Sequence, residues 1–196
     1  MIVYRHADPR FPFLWETREQ PPGRWHAEGE GPANAFADTP EGAWAELLRH
    51  EEIVDPADVR EIRRSLWAVE LPEAPGARSR LPLATQRGGP ESYPACRREA
   101  ARLRARGEPG LVARSAALVP GGAHGWRVDG GLRPGPRRDG RVIVLFGARP
   151  DLVGWRAVLE GRPAEELVGR VRPLAGLSSA GPRTPGGRRA RRGPRG

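Results

Sequence analysis

Glycine and proline limit the length of everything this chain can build. Its 196 residues include 26 glycines and 22 prolines, and helices and strands must fit between them. Hydrophobic residues make up 38%, below the share of an average globular chain. A bundle of long helices is excluded. The composition points to one loop-rich α+β domain, large enough for a real core.

Between the breakers, local signals place the elements. "IVYRH" (2–6) reads as a strand, and "RWHAEG" and "NAFAD" as two more, separated by the turn signal "EGP". Thr39 can cap a helix, Pro40 suits its first position, and Glu41 favours the positive end of its dipole. That helix runs through "EGAWAELLRHE". "PADVREIRR" adds a helical turn, and "SLWAVELP" (65–72) alternates as a core strand does. Residues 73–91 read as a loop, and a helix runs from near Ser92 to Gly107. "GLVARSAALV" (110–119) reads as a strand, and the Gly/Pro-dense stretch 120–140 as a long loop or a set of turns. "RVIVLFG" (141–147) is the most apolar strand and so a central one. "RPAEELVGRV" closes the domain as a short helix.

The formal net charge of +9 is unevenly placed. All 33 basic residues are arginine, and six of them lie in residues 175–196 with no acid among them. Removing those six leaves +3 for residues 1–174. The tail has too few large apolar residues to offset its ordering entropy, so it is expected to be disordered. A single cysteine, Cys96, excludes an internal disulfide. No apolar run approaches the roughly 18–20 residues that span a bilayer, and the charged N-terminus has no signal-peptide core. A cytoplasmic protein is the expectation.

At about 100° per residue, Ala43, Trp44, Leu47 and Leu48 form one apolar stripe on the first helix. Glu46 lies roughly 60° outside the edge of that stripe, on the side of His50. From periodicity alone it reads as a solvated flank. Arg24, one arginine among many, is equally ambiguous. The histidines show no metal-ligand spacing, and neither a phosphate-cradling loop nor a nucleophile elbow is present.

Order and spacing give these residues more meaning. "GRWHAEGEGPANAFADTPEGAWAE" (23–46) resembles the opening motif of the RES-domain family, the toxin half of bacterial toxin–antitoxin pairs. Gly23, Arg24, Trp25, Gly29, Ala37 and Glu46 match it. "GLVARSAAL" is similar to the family's serine strand and supplies Ser115, "RVIVLFG" to its closing core strand, and Arg5 to the arginine near the start of the domain. The resemblance spans residues 2–174 and makes 1–174 the RES domain, with 175–196 as its tail.

The resemblance implies a compact fold like that of the ADP-ribosyltransferase toxins, with a mixed sheet and flanking helices. It implies breakage of the nicotinamide–ribose bond of NAD by water or inorganic phosphate. NAD is then a substrate, and no cofactor or metal is expected. The implied partner is an Xre-like helix-turn-helix antitoxin. The implied catalytic residues are Glu46, Arg24 and Ser115, and Arg5, Arg24, Trp25, His26 and Ser115 would bind substrate. The chemistry suits these types: a carboxylate stabilises oxocarbenium charge on the ribose, and guanidinium groups bind phosphates. The sequence departs from the family at Ala35, eleven residues before Glu46, where a tyrosine is usual, and at His26, where asparagine is common. Phe36 is next to Ala35 but should point to the opposite face. Two other readings stay open. One is a catalytically degenerate homologue kept as a partner-binding module. The other is a nucleic-acid-associated protein acting through the arginine-rich tail.

Overall fold

A computed structural model of the chain describes residues 1–16 and 19–174. The tail expected to be disordered, 175–196, lies outside the described residues. The domain is built on a six-stranded antiparallel sheet. Its strands are β1 (Ile2–Ala7), β2 (Ala33–Ala37), β3 (Arg64–Glu70), β4 (Gly110–Arg114), β7 (Arg141–Phe146) and β8 (Val153–Gly161), in the order β4-β7-β2-β1-β3-β8. β5 (Trp126–Val128) and β6 (Leu132–Pro134) form a separate hairpin. The helices are α1 (Pro40–His50), α2 (Leu83–Arg87) and α3 (Tyr93–Ala105), with 3₁₀ turns at Pro56–Glu61, Pro90–Ser92 and Glu165–Arg170.

The strand alternation of β2 divides the core. Phe36, 2% exposed, packs on one face with Val3, Val69, Ile143 and Leu145, beneath Phe13 and Leu14. Ala33 and Ala37 point to the other face, where each packs in the cluster of a different helix. α1 sets Ala43, Trp44, Leu47 and Leu48 against Ala37, Tyr4 and Leu66. α3 sets Cys96, Ala100 and Leu103 against Ala33, Leu111, Val144 and Phe146, with Trp25. α1 begins as its sequence dictates: the Thr39 hydroxyl accepts the Gly42 N–H at 3.0 Å, with Pro40 in the first turn. Gly42 is required there, because a Cβ would lie 2.9 Å from the Ala37 Cβ.

One seam in the sheet is weak. β1 pairs with β3 along its whole length, Ile2 to Ala7, and β2 pairs with β7 at five positions. β1 and β2 share a single paired position, Tyr4 with Ala37. Past it the backbone ladder between them is not continued, and side chains bridge the strands instead: Arg5 Nη1 donates to Asn34 Oδ1 at 2.6 Å, and its guanidinium lies 5.8 Å from the Phe36 ring centre.

Several expectations are corrected. "RWHAEG" is a tight turn and not a strand: Gly23 N–H donates to the His26 carbonyl at 3.1 Å, and the histidine ring folds over Gly23. The strand expected over 110–119 stops at Arg114. There the Ser115 hydroxyl accepts the backbone N–H groups of Ala117 and Leu118, both at 3.2 Å, and turns the chain. The 73–91 loop contains α2, and the Gly-rich 120–140 stretch contains the β5–β6 hairpin. β8 has no counterpart in the sequence reading. As an edge strand it has no run of buried residues, and no alternation marks it.

Candidate active site

A cavity of about 280 Å³ lies along this seam. Small-molecule pockets run from roughly 300 Å³ upward, so the size suits one end of a dinucleotide. Ala35, Ala37, Val142 and Val144 line it from the sheet, Glu46, Arg49 and His50 from α1, Tyr93 from α3, and Tyr4, Arg5 and His6 from β1. Arg24, Trp25, His26 and Arg114 complete the wall. Glu46 is the only carboxylate among the described lining residues, against four arginines. Such a cavity attracts an anion and offers one negative group to any positive charge that develops inside it.

Glu46 is held, not solvated. The Ser115 hydroxyl donates to Glu46 Oε1 at 3.3 Å, and His50 Nε2 lies 4.0 Å from Oε2, one helical turn away. The carboxylate side chain keeps 24% exposure, enough to meet a ligand. Ser115 is 3% exposed. Its hydroxyl caps two backbone N–H groups and then turns its own proton to Glu46. It acts as the peg that orients the carboxylate, where the sequence reading placed it on the substrate.

Arg24 is equally fixed. It donates from Nη1 to Ser92 Oγ at 3.0 Å and from Nη2 to the Gly88 carbonyl at 2.8 Å, with its guanidinium 4.7 Å from the Tyr93 ring centre. Both terminal nitrogens are engaged by the protein, which leaves three of its five N–H donors and the full charge for a ligand. Arg5 Nη1 donates to Asn34 Oδ1 at 2.6 Å, and burial lowers its pKa to about 10, still charged at neutral pH. Trp25 and His26 serve the fold as well as the wall. Trp25 is a core residue at 5% exposure, and its carbonyl accepts from Arg104. His26 Nε2 is bonded to the Pro21 carbonyl at 2.8 Å, and burial pushes its pKa down.

The structure adds residues that the sequence reading left out. Arg49, 4% exposed, ties α1 to four backbone carbonyls, those of Ala116, Arg172, Arg87 and Gly88. Tyr93 and Tyr4 are the two tyrosines of the chain, and both face the cavity that Ala35 leaves without an aromatic ring. Ala35 is exposed to it, while Phe36 points into the opposite core, as strand alternation requires. Arg114 is half-exposed, 3.8 Å from Asp139. None of these carries a local sequence signal. Each acquires its place from contacts distant along the chain.

Among the described residues no group of three or more His, Cys, Asp or Glu side chains could hold a metal ion, and no helix is long and apolar enough to cross a membrane. Among proteins with curated annotation, none matches the chain significantly. Among solved structures, the fold is similar to a chain in the crystal structure of the M. tuberculosis MbcT–MbcA toxin–antitoxin complex. The TM-score is 0.54 at 15% identity, and 86% of each chain is covered. The sequence model of the RES domain matches residues 2–169. With the fold and the match over most of its length in agreement, the chain belongs to the RES-domain family.

Proposed function

We propose that this protein breaks the nicotinamide–ribose bond of NAD, with water or inorganic phosphate as acceptor, as the toxin of a toxin–antitoxin pair. The observation that carries the reading is the pegged carboxylate: Glu46, fixed by Ser115, is the single negative group among the described residues of an arginine-lined cavity. Nicotinamide leaves NAD as a neutral molecule and needs no proton. The ribose carbon left behind gains positive charge, and the carboxylate stabilises it directly or through a ribose hydroxyl. The lone pair of water or of phosphate then forms the new bond to that carbon; attacking water releases one proton to solvent, and a phosphate anion needs to release none. Arg5, Arg24 and Arg114 supply positive charge for the pyrophosphate and for a phosphate acceptor. Tyr93, held under Arg24, presents an aromatic face to the same space.

The partner in this reading is an antitoxin of the Xre-like helix-turn-helix type that covers the cavity, and the pair acts in the cytoplasm. Support comes from the family and from the similar structure, whose chains form a toxin–antitoxin complex. The test is incubation of the pure protein with NAD, with and without phosphate, followed by product analysis. If water is the acceptor, nicotinamide is expected in both cases; if phosphate is the acceptor, nicotinamide and phosphorylated ADP-ribose are expected only where phosphate is present. Glu46→Gln should slow release about 10²–10³-fold, the scale for losing one group that stabilises transition-state charge. Full turnover in that variant would refute the mechanism.

A further inference from the structure

Among the described residues, His6 is the one cavity-lining side chain with a buried polar atom that has no partner. Among the described residues four buried side-chain nitrogens lack a hydrogen bond: His6 Nδ1 and the Nε atoms of Arg87, Arg104 and Arg172. Each arginine bonds through its other nitrogens, to Asp139, Glu30 and the Leu118 carbonyl respectively, and none of the three lines the cavity. His6 does line it. Strand β1 places it on the face of α1, beside Leu66 of β3, past the one position where β1 pairs with β2.

The chemistry of the ring follows from its surroundings. Burial, reinforced by the positive charges of Arg64 and Arg5 and by His50, lowers its pKa to about 3, so the ring is neutral under physiological conditions. A neutral imidazole has one N–H and one bare nitrogen. A buried N–H without an acceptor is costlier and rarer than an unused lone pair. The proton therefore sits on Nε2, and Nδ1 is the bare atom. Nε2 has no protein partner among the described residues and is not among the buried orphan atoms, so it is open to the cavity. The result is a fixed, uncharged donor, the form in which a neutral histidine polarises a substrate oxygen.

His50 links this donor to Glu46, because it lies 4.0 Å from Glu46 Oε2 and its charge acts on the His6 ring, so an acceptor at this end of the cavity must also suit Glu46, the only carboxylate among the described lining residues. A hydroxyl does both: its proton goes to the carboxylate and its oxygen accepts from the histidine. We propose that His6 is a substrate-binding residue whose Nε2–H donates to the 2′-hydroxyl oxygen of the nicotinamide ribose, while Glu46 accepts that hydroxyl's proton. The proposal rests on the NAD reading and assigns the ribose end of the substrate to the α1 side of the cavity.

The experiment measures nicotinamide release by wild type, His6→Phe and His6→Gln, on NAD and on an NAD analogue lacking that 2′-hydroxyl. On NAD, His6→Phe should raise KM about 3–10-fold, the scale of one neutral hydrogen bond, with kcat within about twofold. Glutamine, which keeps an N–H donor, should recover most of the loss. On the analogue, wild type and His6→Phe should have equal KM. An unchanged KM on NAD, or an equal loss on the analogue, overturns the proposal. NAD binding by calorimetry is run in parallel on all three proteins. Should wild type bind NAD but release no nicotinamide, cleavage fails and His6 is judged by Kd alone. A Kd weakened in His6→Phe and restored in His6→Gln supports it, and an unchanged Kd overturns it. If His6→Phe does not fold, the wild-type and His6→Gln proteins are compared with His6→Met in the same way. Wild type that does not bind NAD at all overturns both readings together.

Discussion

Replacing Arg49 by methionine tests whether one guanidinium organises the site. Methionine keeps the unbranched apolar stem of arginine and removes only the charged fork. Nη1 donates to the carbonyls of Ala116 and Arg172, the latter at 3.1 Å, and Nη2 to those of Arg87 and Gly88 at 3.2 and 2.9 Å. Hydrogen bonds to a charged donor are each worth about 1.5–3 kcal/mol. They do not simply add. Burial disfavours the charge, as the lowered pKa of Arg49 records, and the variant no longer bears that cost. Of the four partners, Ala116 lines the cavity, so its freed carbonyl can be rehydrated. The expected net loss is about 3–5 kcal/mol, that of leaving two or three neutral buried carbonyls without a donor at about 1–3 kcal/mol each. For a domain of this size it corresponds to a fall in Tm of about 6–20 °C. Urea unfolding followed by tryptophan fluorescence measures it. Arg49→Lys is the sharper control. It keeps the charge, but one nitrogen cannot span carbonyls from three separate loops, so it should lose at least about half as much. A loss below about 1 kcal/mol in Arg49→Met, with an unchanged m-value, would refute the argument. The site should suffer too, because the Gly88 carbonyl accepts from both Arg49 and Arg24. Freed on one side, it no longer fixes Arg24.

Other perturbations probe single links. Ser115→Ala leaves the Ala117 and Leu118 N–H groups without their acceptor and Glu46 without its peg. It should cost about 1–3 kcal/mol in urea unfolding and slow nicotinamide release by up to about 100-fold, as misplaced catalytic groups do. Thr39→Ala removes the cap on Gly42 N–H and should cost about 1 kcal/mol with little change in KM. His6 carries a pH signature in stability. Its pKa is about 3 folded against 6.5 in the reference state, so between those values the unfolded chain holds the extra proton. Stability should therefore rise with pH from about 3 to 6.5 and level off above, and His6→Phe should flatten that part of the curve. An identical slope in the variant would mean that the ring is not held neutral.

The sequence discloses those parts of this fold that local chemistry determines. α1 could be read because Thr39, Pro40 and Glu41 act on their own helix within one turn. β7 could be read because five of its six residues are buried, which leaves an unbroken apolar run. β8 could not, since an edge strand with Gly154, Arg156 and Glu160 among exposed apolar residues has no buried face to write a pattern. The site divides in the same way. Resemblance supplied Arg24, Glu46 and Ser115 as residue types at positions, but their geometry depends on what they touch. Periodicity made Glu46 a solvated flank, and a hydroxyl 69 positions away makes it a fixed carboxylate. Arg24 reads as a phosphate-binding guanidinium, and the segment before α3 takes two of its donors. Arg49 was invisible because its partners are backbone carbonyls, which every residue carries and no sequence pattern marks. The weak seam was hidden for a related reason: nothing in "IVYRHA" or "ANAFA" says that only Tyr4 and Ala37 will pair. The cavity lies along that seam, lined from both strands where the pairing is not continued. It is lined by arginines, pegged at Glu46 and open at His6, so its chemistry gathers at a gap in strand pairing that only the assembled sheet reveals.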